Sequence, residues 1–213
     1  MTLPMLYQIL FLVLGWVLGL LSPVVVDALT KKRRQAEARQ GVLVELGELK
    51  LGLASDTFAL AGSIGAWDRE YLTWLKAVLE SSRGAHDEER RQLLETVTGL
   101  LGLDDQQLAA TARSAGLPAT PALRKHHLPY LESKLETFAS LRPEALRQLL
   151  EVQAQIGVLN ELLDDIRFCL GKSFDSLPPS TRQAIDASLQ TSYRAVVRSS
   201  RQAADLIGRL KLG

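Results

Sequence analysis

The 213-residue chain balances 25 basic against 24 acidic side chains, a formal net charge of +1, with 46% hydrophobic and 23% charged residues. Bulk electrostatics therefore argues neither for nucleic acid nor for a strongly acidic partner. A single cysteine, Cys169, excludes an internal disulfide framework and a cysteine-based zinc cluster.

The apolar residues crowd the start of the chain. From Leu3 to Val26 only Gln8 and Ser22 are strongly polar and no side chain is charged. As a helix this run reaches roughly 36 Å, enough to cross a hydrocarbon core of about 30 Å. A cleaved signal peptide would carry a basic n-region and a shorter apolar stretch, and neither is present. Lys31, Lys32, Arg33 and Arg34 follow the run directly. The expectation is an uncleaved, single-pass transmembrane anchor over residues 1–29, with the N-terminus outside and the remainder on the cytoplasmic face of a plasma (inner) membrane. The basic cluster also suits contact with anionic headgroups of the bilayer. Within the span, Gly15, Gly19 and Ser22 form a small-residue face of the kind through which membrane helices self-associate. Pro23 removes a helical hydrogen bond and predicts a kink in the last turn.

Beyond Asp27 helix formers dominate and no stretch alternates as a strand does. A juxtamembrane helix is expected from Asp27 to Leu53, with Val42, Leu46, Leu49 and Leu53 as its apolar stripe and close packing to compensate Gly41, Gly47 and Gly52. Residues 51–67 read as a Gly-rich return, so that 30–66 form a connecting unit and 67–213 a soluble bundle. A second membrane pass over this return is opposed by Asp56. Asp68 is an N-cap for a helix to Ser81, SSRGAH a loop, and Asp87 the start of a third helix. A short helix from Asp105 to Ser114 leads to the connector GLPATP.

Pro129 then opens a helix bearing Leu131, Leu135 and Phe138, and Pro143 a long one. There Leu149, Ile156, Leu163 and Leu170 recur every seven residues, interleaved with Val152, Leu159 and Ile166. LPPS breaks the chain, with Ser180 as the expected N-cap of a final helix that buries Ile185, Leu189, Val196, Ala203, Ile207 and Leu210. The heptads suit a coiled coil between chains or a bundle within one; the short connectors favour the latter. The expected fold is all-α: one transmembrane helix followed by a cytosolic antiparallel bundle containing a long heptad-patterned helix.

Phosphate-loop, dinucleotide, zinc-protease and nucleophile-elbow motifs are absent from the sequence, and no cofactor, metal or small-molecule substrate is expected. His126 and His127 read as a solvated helix start, and Cys169 as a half-buried packing residue. Glu161, Asp164 and Asp165 cluster on one side of the long helix, and Arg194, Arg198 and Arg201 form a basic row on the last. In a hairpin some of these arginines would meet the acidic cluster. Trp67, Tyr71 and Trp74 fall on one stripe, suited to core packing, to a membrane interface or to a partner.

The expected function is that of a non-enzymatic, membrane-tethered interaction or scaffold protein, with a protein partner or self-association and without nucleic acid. The alternatives are an oligomeric membrane effector assembled through the anchor, and an enzyme with an unrecognised site at the carboxylates of the long helix.

Overall fold

The computed structural model describes residues 3–82, 87–114, 124–138, 142–173 and 178–210; for residues 3–6, 8–10, 17, 20–24, 135–137 and 179 it describes the backbone alone. All regular elements among them are α-helices: α1 (Leu3–Ser63), α2 (Arg69–Ser81), α3 (Asp87–Leu101), α4 (Asp105–Ser114), α5 (Pro129–Phe138), α6 (Pro143–Ser173) and α7 (Pro179–Arg209). The GLPATP connector, His86 and Leu177 lie outside the described residues, as do the side chains of Ser22, Pro23 and Leu135.

Helix α1 organises the rest. It is continuous for 61 residues, so the chain does not turn back within residues 51–63 as its glycines suggested. The reversal comes at Gly65, which adopts a left-handed φ of 64°. There the Ala66 N–H donates to Ala61 O at 2.8 Å and the Gly65 N–H to Gly62 O at 3.1 Å, the paired bonds of a Schellman stop. The earlier glycines are tolerated because α1 is packed from two directions, and packing outweighs a propensity cost of about 1 kcal/mol each. Of the three expected to lie close to a neighbour, Gly41 does: a Cβ there would collide with the Tyr130 ring. Gly47 and Gly52 would meet nothing within 4 Å.

One stripe of α1, Val42, Leu46, Leu49, Leu53 and Leu60, joins α5, α6 and α7 in the larger core. The heptad positions Leu149, Val152, Ile156, Leu159, Leu163 and Ile166 are all buried there against Leu189, Tyr193, Val196 and Ala203 of α7. The heptads therefore pair within the chain. The short connector between α6 and α7 makes this pair an antiparallel hairpin, and Gln155 Nε2 donates across it to Ser199 Oγ at 2.9 Å. Ile185, Ile207 and Leu210 pack at the edge of this core, as does the half-buried Cys169. A second stripe of α1, Leu51, Ala54 and Ala61, supports a smaller core with Tyr71, Leu72, Leu75, Val78 and Leu79 of α2, Val97 of α3 and Leu108 of α4.

The helix ends follow local chemistry. Asp68 accepts from the Tyr71 N–H at 2.7 Å as the cap of α2. Asp104 and Gln107 cap α4 reciprocally. The final helix departs from expectation: it begins at Pro179, Pro178 holds the cap position, and no side chain caps it. Proline is favoured at this position because its missing N–H is one that a helix start leaves unpaired.

Helix α5 begins at Pro129, preceded by Leu128, and neither side chain can cap. Its cap comes from α1: the Glu45 carboxylate accepts from the N–H groups of Tyr130 and Leu131, each at 2.8 Å. Negative charge at a helix N-terminus is favourable on both hydrogen-bond and dipole grounds. Replacing Glu45 by Ala should lower stability in urea unfolding by about 1–2 kcal/mol, and Glu45→Gln by less. Equal midpoints for wild type and Glu45→Ala would show that the cap contributes nothing.

Candidate functional site: the groove between α2 and α7

Along the N-terminal part of α1 the described side chains are uncovered. Phe11, Leu12, Val13, Leu14, Trp16 and Leu18 are half or more exposed, as are Val25, Val26 and Leu29. Gly15 and Gly19 are also exposed, and a Cβ at either would meet nothing within 4 Å. Lys31, Lys32, Arg33 and Arg34 are exposed beyond them, Arg33 pairing with Glu37 at 2.9 Å. Among the described residues no helix is long and apolar enough to cross a membrane. The anchor expected over this stretch falls in part on residues 3–6, 8–10, 17 and 20–24, whose side chains lie outside the description.

Helices α2 and α7 both lie against α1 and meet each other chiefly through side chains. Between them runs a groove. Its upper part, about 430 Å³, is lined by Ile64, Tyr71, Val197 and Arg201 with Arg194 and Arg198 on the α7 wall. Its lower part, about 250 Å³, passes Trp74, Ala77, Gly208 and Lys50, and the two meet at Asp205.

Two of the residue sets singled out in the sequence thus come together. Arg201 lies over the Trp74 ring at 5.2 Å and the Tyr71 ring at 6.0 Å, and pairs with Glu70 at 3.1 Å. Trp74 Nε1 donates to Asp205 at 2.8 Å. Tyr71 is buried, and burial pushes its hydroxyl well above the ordinary phenol value, opposed in part by Thr57 and by Arg201. Burial also lowers the Lys50 ammonium, which Asp205 partly restores. Trp67 stands apart from the other two rings: it precedes α2, stacks on Phe58 of α1 at 4.8 Å and donates Nε1 to the Phe58 carbonyl at 3.0 Å. A return of Trp67 to the headgroups does not fit a continuous α1. From Leu29 to Ser63 that helix rises roughly 50 Å.

The acidic set is elsewhere. Glu161, Asp164 and Asp165 are exposed on α6, on the side away from its buried heptad stripe. Asp164 pairs with Lys125 at 2.6 Å and with Arg167 at 3.6 Å. Because α6 meets α7 through the buried stripe, its acids do not reach Arg194, Arg198 or Arg201. Among the described residues no group of three potential ligands could hold a metal ion.

His126 departs from its expected solvated position, whereas His127 is exposed. The His126 backbone is clamped by Asn160 of α6, which accepts from its N–H at 2.9 Å and donates to its carbonyl at 2.7 Å. Its ring turns inward, 15% exposed, with Nε2 3.5 Å from the Asp56 carboxylate of α1. Burial lowers the His126 imidazole below its ordinary 6.5, Asp56 opposing and the neighbouring His127 adding to the shift. Burial raises the Asp56 carboxyl above its ordinary 3.8, against His126 and Arg124. The sequence held no signal for this pair beyond an ionisable residue in an apolar stretch.

A lowered imidazole binds its proton more weakly folded than unfolded, so it withdraws stability as pH falls through 6.5. The raised Asp56 acts in the opposite sense: its contribution is present at low pH and lost as pH rises above 3.8 through its folded value. Wild type should therefore lose more urea stability than His126→Gln between pH 7.5 and 5.5. Parallel losses in the two proteins would remove His126 as the source. The chain matches no protein-family model, no curated protein and no solved structure, so its function has to be argued from the geometry of the helices.

Proposed function

We propose that this chain is a non-enzymatic, membrane-tethered interaction module: the apolar start of α1 inserts in a bilayer as a single pass, and the bundle is held at the cytoplasmic face of a plasma (inner) membrane. The observation that carries this reading is the exposure of successive described side chains near the start of α1. Phe11, Leu12, Val13 and Leu14 are 68%, 75%, 50% and 53% exposed. Four successive residues on a helix point in all directions, so one neighbouring helix cannot cover them. Left in water, such a rod would forgo about 25 cal/mol for each Å² of apolar surface, which a hydrocarbon core recovers. The run Leu3–Val26 is uncharged and the exposed Lys31–Arg34 cluster follows it, the arrangement that leaves a basic flank in the cytoplasm.

The module reading draws on the bundle beyond Ala38, which has its own two cores, and on the concavity between α2 and α7 with the exposed Arg194 and Arg198 on its wall. A second reading, an oligomeric effector assembled through α1, draws on the open Gly15 and Gly19 positions.

Alkaline carbonate extraction tests the tether. The full chain should stay in the membrane pellet, and a fragment from residue 35 onward should move to the supernatant. Full-length protein released by carbonate would rule out the anchor. Cross-linking in the same membranes separates the two readings, since a module gives monomers where an effector gives a ladder lost on Gly15→Ile with Gly19→Ile.

A further inference from the structure

Four parts of the chain converge where α1, α6 and α7 meet the segment before α5. A cavity of about 10 Å³ lies there, lined by Asp56 and Leu60 of α1, His126, Leu163 of α6, and Val196 and Ser200 of α7. Its size selects the ligand. One water needs roughly 10–15 Å³ of such space, and nothing larger fits.

Two polar groups on its wall lack the bonds that burial calls for. Ser200 is 2% exposed, and its hydroxyl has no hydrogen-bond partner among the described residues. Other helical hydroxyls in this chain bond back to their own helix. Thr57, beside the same cavity, donates to the Leu53 carbonyl at 2.7 Å, and Thr191 of α7 to the Ala187 carbonyl at 3.0 Å. The second group is the His126 ring, whose Nε2 stands 3.5 Å from the Asp56 carboxylate, beyond the roughly 2.7–3.2 Å of an N–H···O bond. A buried hydroxyl without a partner is costly, and internal waters are held by polar groups of this kind.

We infer that this cavity binds one structural water, held by the Ser200 hydroxyl of α7 and the Asp56 carboxylate of α1, beside the His126 ring. The hydroxyl donates to the water oxygen, and a water proton goes to the carboxylate, which has lone pairs to spare. A metal ion does not suit the same place, since among the described residues no group of three potential ligands could hold one. The water adds a tie that direct contacts do not supply. Asn160 already clamps the His126 backbone to α6, and the water joins α1 to α7 at the same junction. Every residue used here lies in the bundle, so the inference stands apart from the tether.

Urea unfolding of the full chain in detergent micelles tests it by sign. With the water in place, Ser200→Ala strips it of a partner and the midpoint falls. In a dry cavity the same change removes an unpaired buried hydroxyl and the midpoint rises. Alanine also favours a helix more than serine does, so the reference is Ser188→Ala, exposed on the same helix. The midpoint of Ser200→Ala should lie below that of Ser188→Ala; one equal to it or above it overturns the proposal. A crystal structure of the full chain, at a resolution that shows ordered waters, supplies the second readout. It should place a water within about 3.2 Å of both Ser200 Oγ and an Asp56 carboxylate oxygen. A Ser200 hydroxyl turned onto the Val196 carbonyl, with no water beside it, overturns the proposal even where the midpoint falls.

Discussion

One helix serves two cores and then leaves them, and the rest of the molecule is arranged around that constraint. On α1 the stripe through Val42, Leu46, Leu49, Leu53 and Leu60 faces α5, α6 and α7, while Leu51, Ala54 and Ala61 face α2 and its neighbours. Burying two faces makes a long stretch of α1 apolar on most of its circumference, which is ordinary for a central helix. The small residues on the second face let α2 approach closely. Thr57, fully buried between the two stripes, returns its hydroxyl to the Leu53 and Ala54 carbonyls of its own helix. It therefore enters the core without leaving a polar group unpaired.

The shorter helices could not persist alone. Helices of ten to fifteen residues are marginal in water, and their stability has to come from packing and from satisfied ends. Side chains from distant parts of the chain supply those ends. Glu45 of α1 closes the start of α5. Arg69 of α2 donates to the Leu101 and Leu103 carbonyls at the end of α3 and also pairs with Asp105 at the start of α4. Arg90 of α3 donates to the Leu79 carbonyl near the end of α2. Asn160 holds the segment before α5 against α6. Each of these bonds joins two elements, so a cap lost at one helix loosens its neighbour too.

This division explains what the sequence disclosed. The heptads of α6 were legible because one face of a long helix packs against one partner, leaving a clean seven-residue period. The first stripe of α1 was legible for the same reason. Its second stripe was not, since alanines spaced on a helix give little hydrophobic contrast with their surroundings. The turn was misplaced because each glycine between 41 and 65 weighs alike in a propensity argument, and only Gly65 takes a left-handed conformation. The candidate site divides similarly. Tyr71, Trp74 and the Arg194–Arg201 row stood out as patterns on their own helices. Their meeting depends on α1 bringing α2 and α7 to adjacent sides, a relation across 131 residues for Trp74 and Asp205. The guess that those arginines would face Glu161, Asp164 and Asp165 failed on phase: the acids occupy the side of α6 opposite the stripe that α7 covers. His126 was misjudged because local reading sees a proline and a loop, whereas Asn160 and Asp56 turn the ring inward from elsewhere.

A near-neutral chain can still be strongly organised in charge, and here position matters more than the sum. The Lys31–Arg34 cluster sits where the exposed apolar helix ends, and Arg194, Arg198 and Arg209 line a groove well separated from it along α1. The distance is set by helix rather than by flexible linker. On the tethered reading, a helical spacer from residue 30 to 37 holds the bundle at a fixed stand-off of roughly 12 Å. On the same reading, the high local concentration that tethering gives would be available only to a segment that reaches that height. Exposed arginines bind weakly one at a time, because water and salt screen them. On the same reading Arg194 and Arg198, one turn apart on α7, gain only from being presented together at a fixed distance.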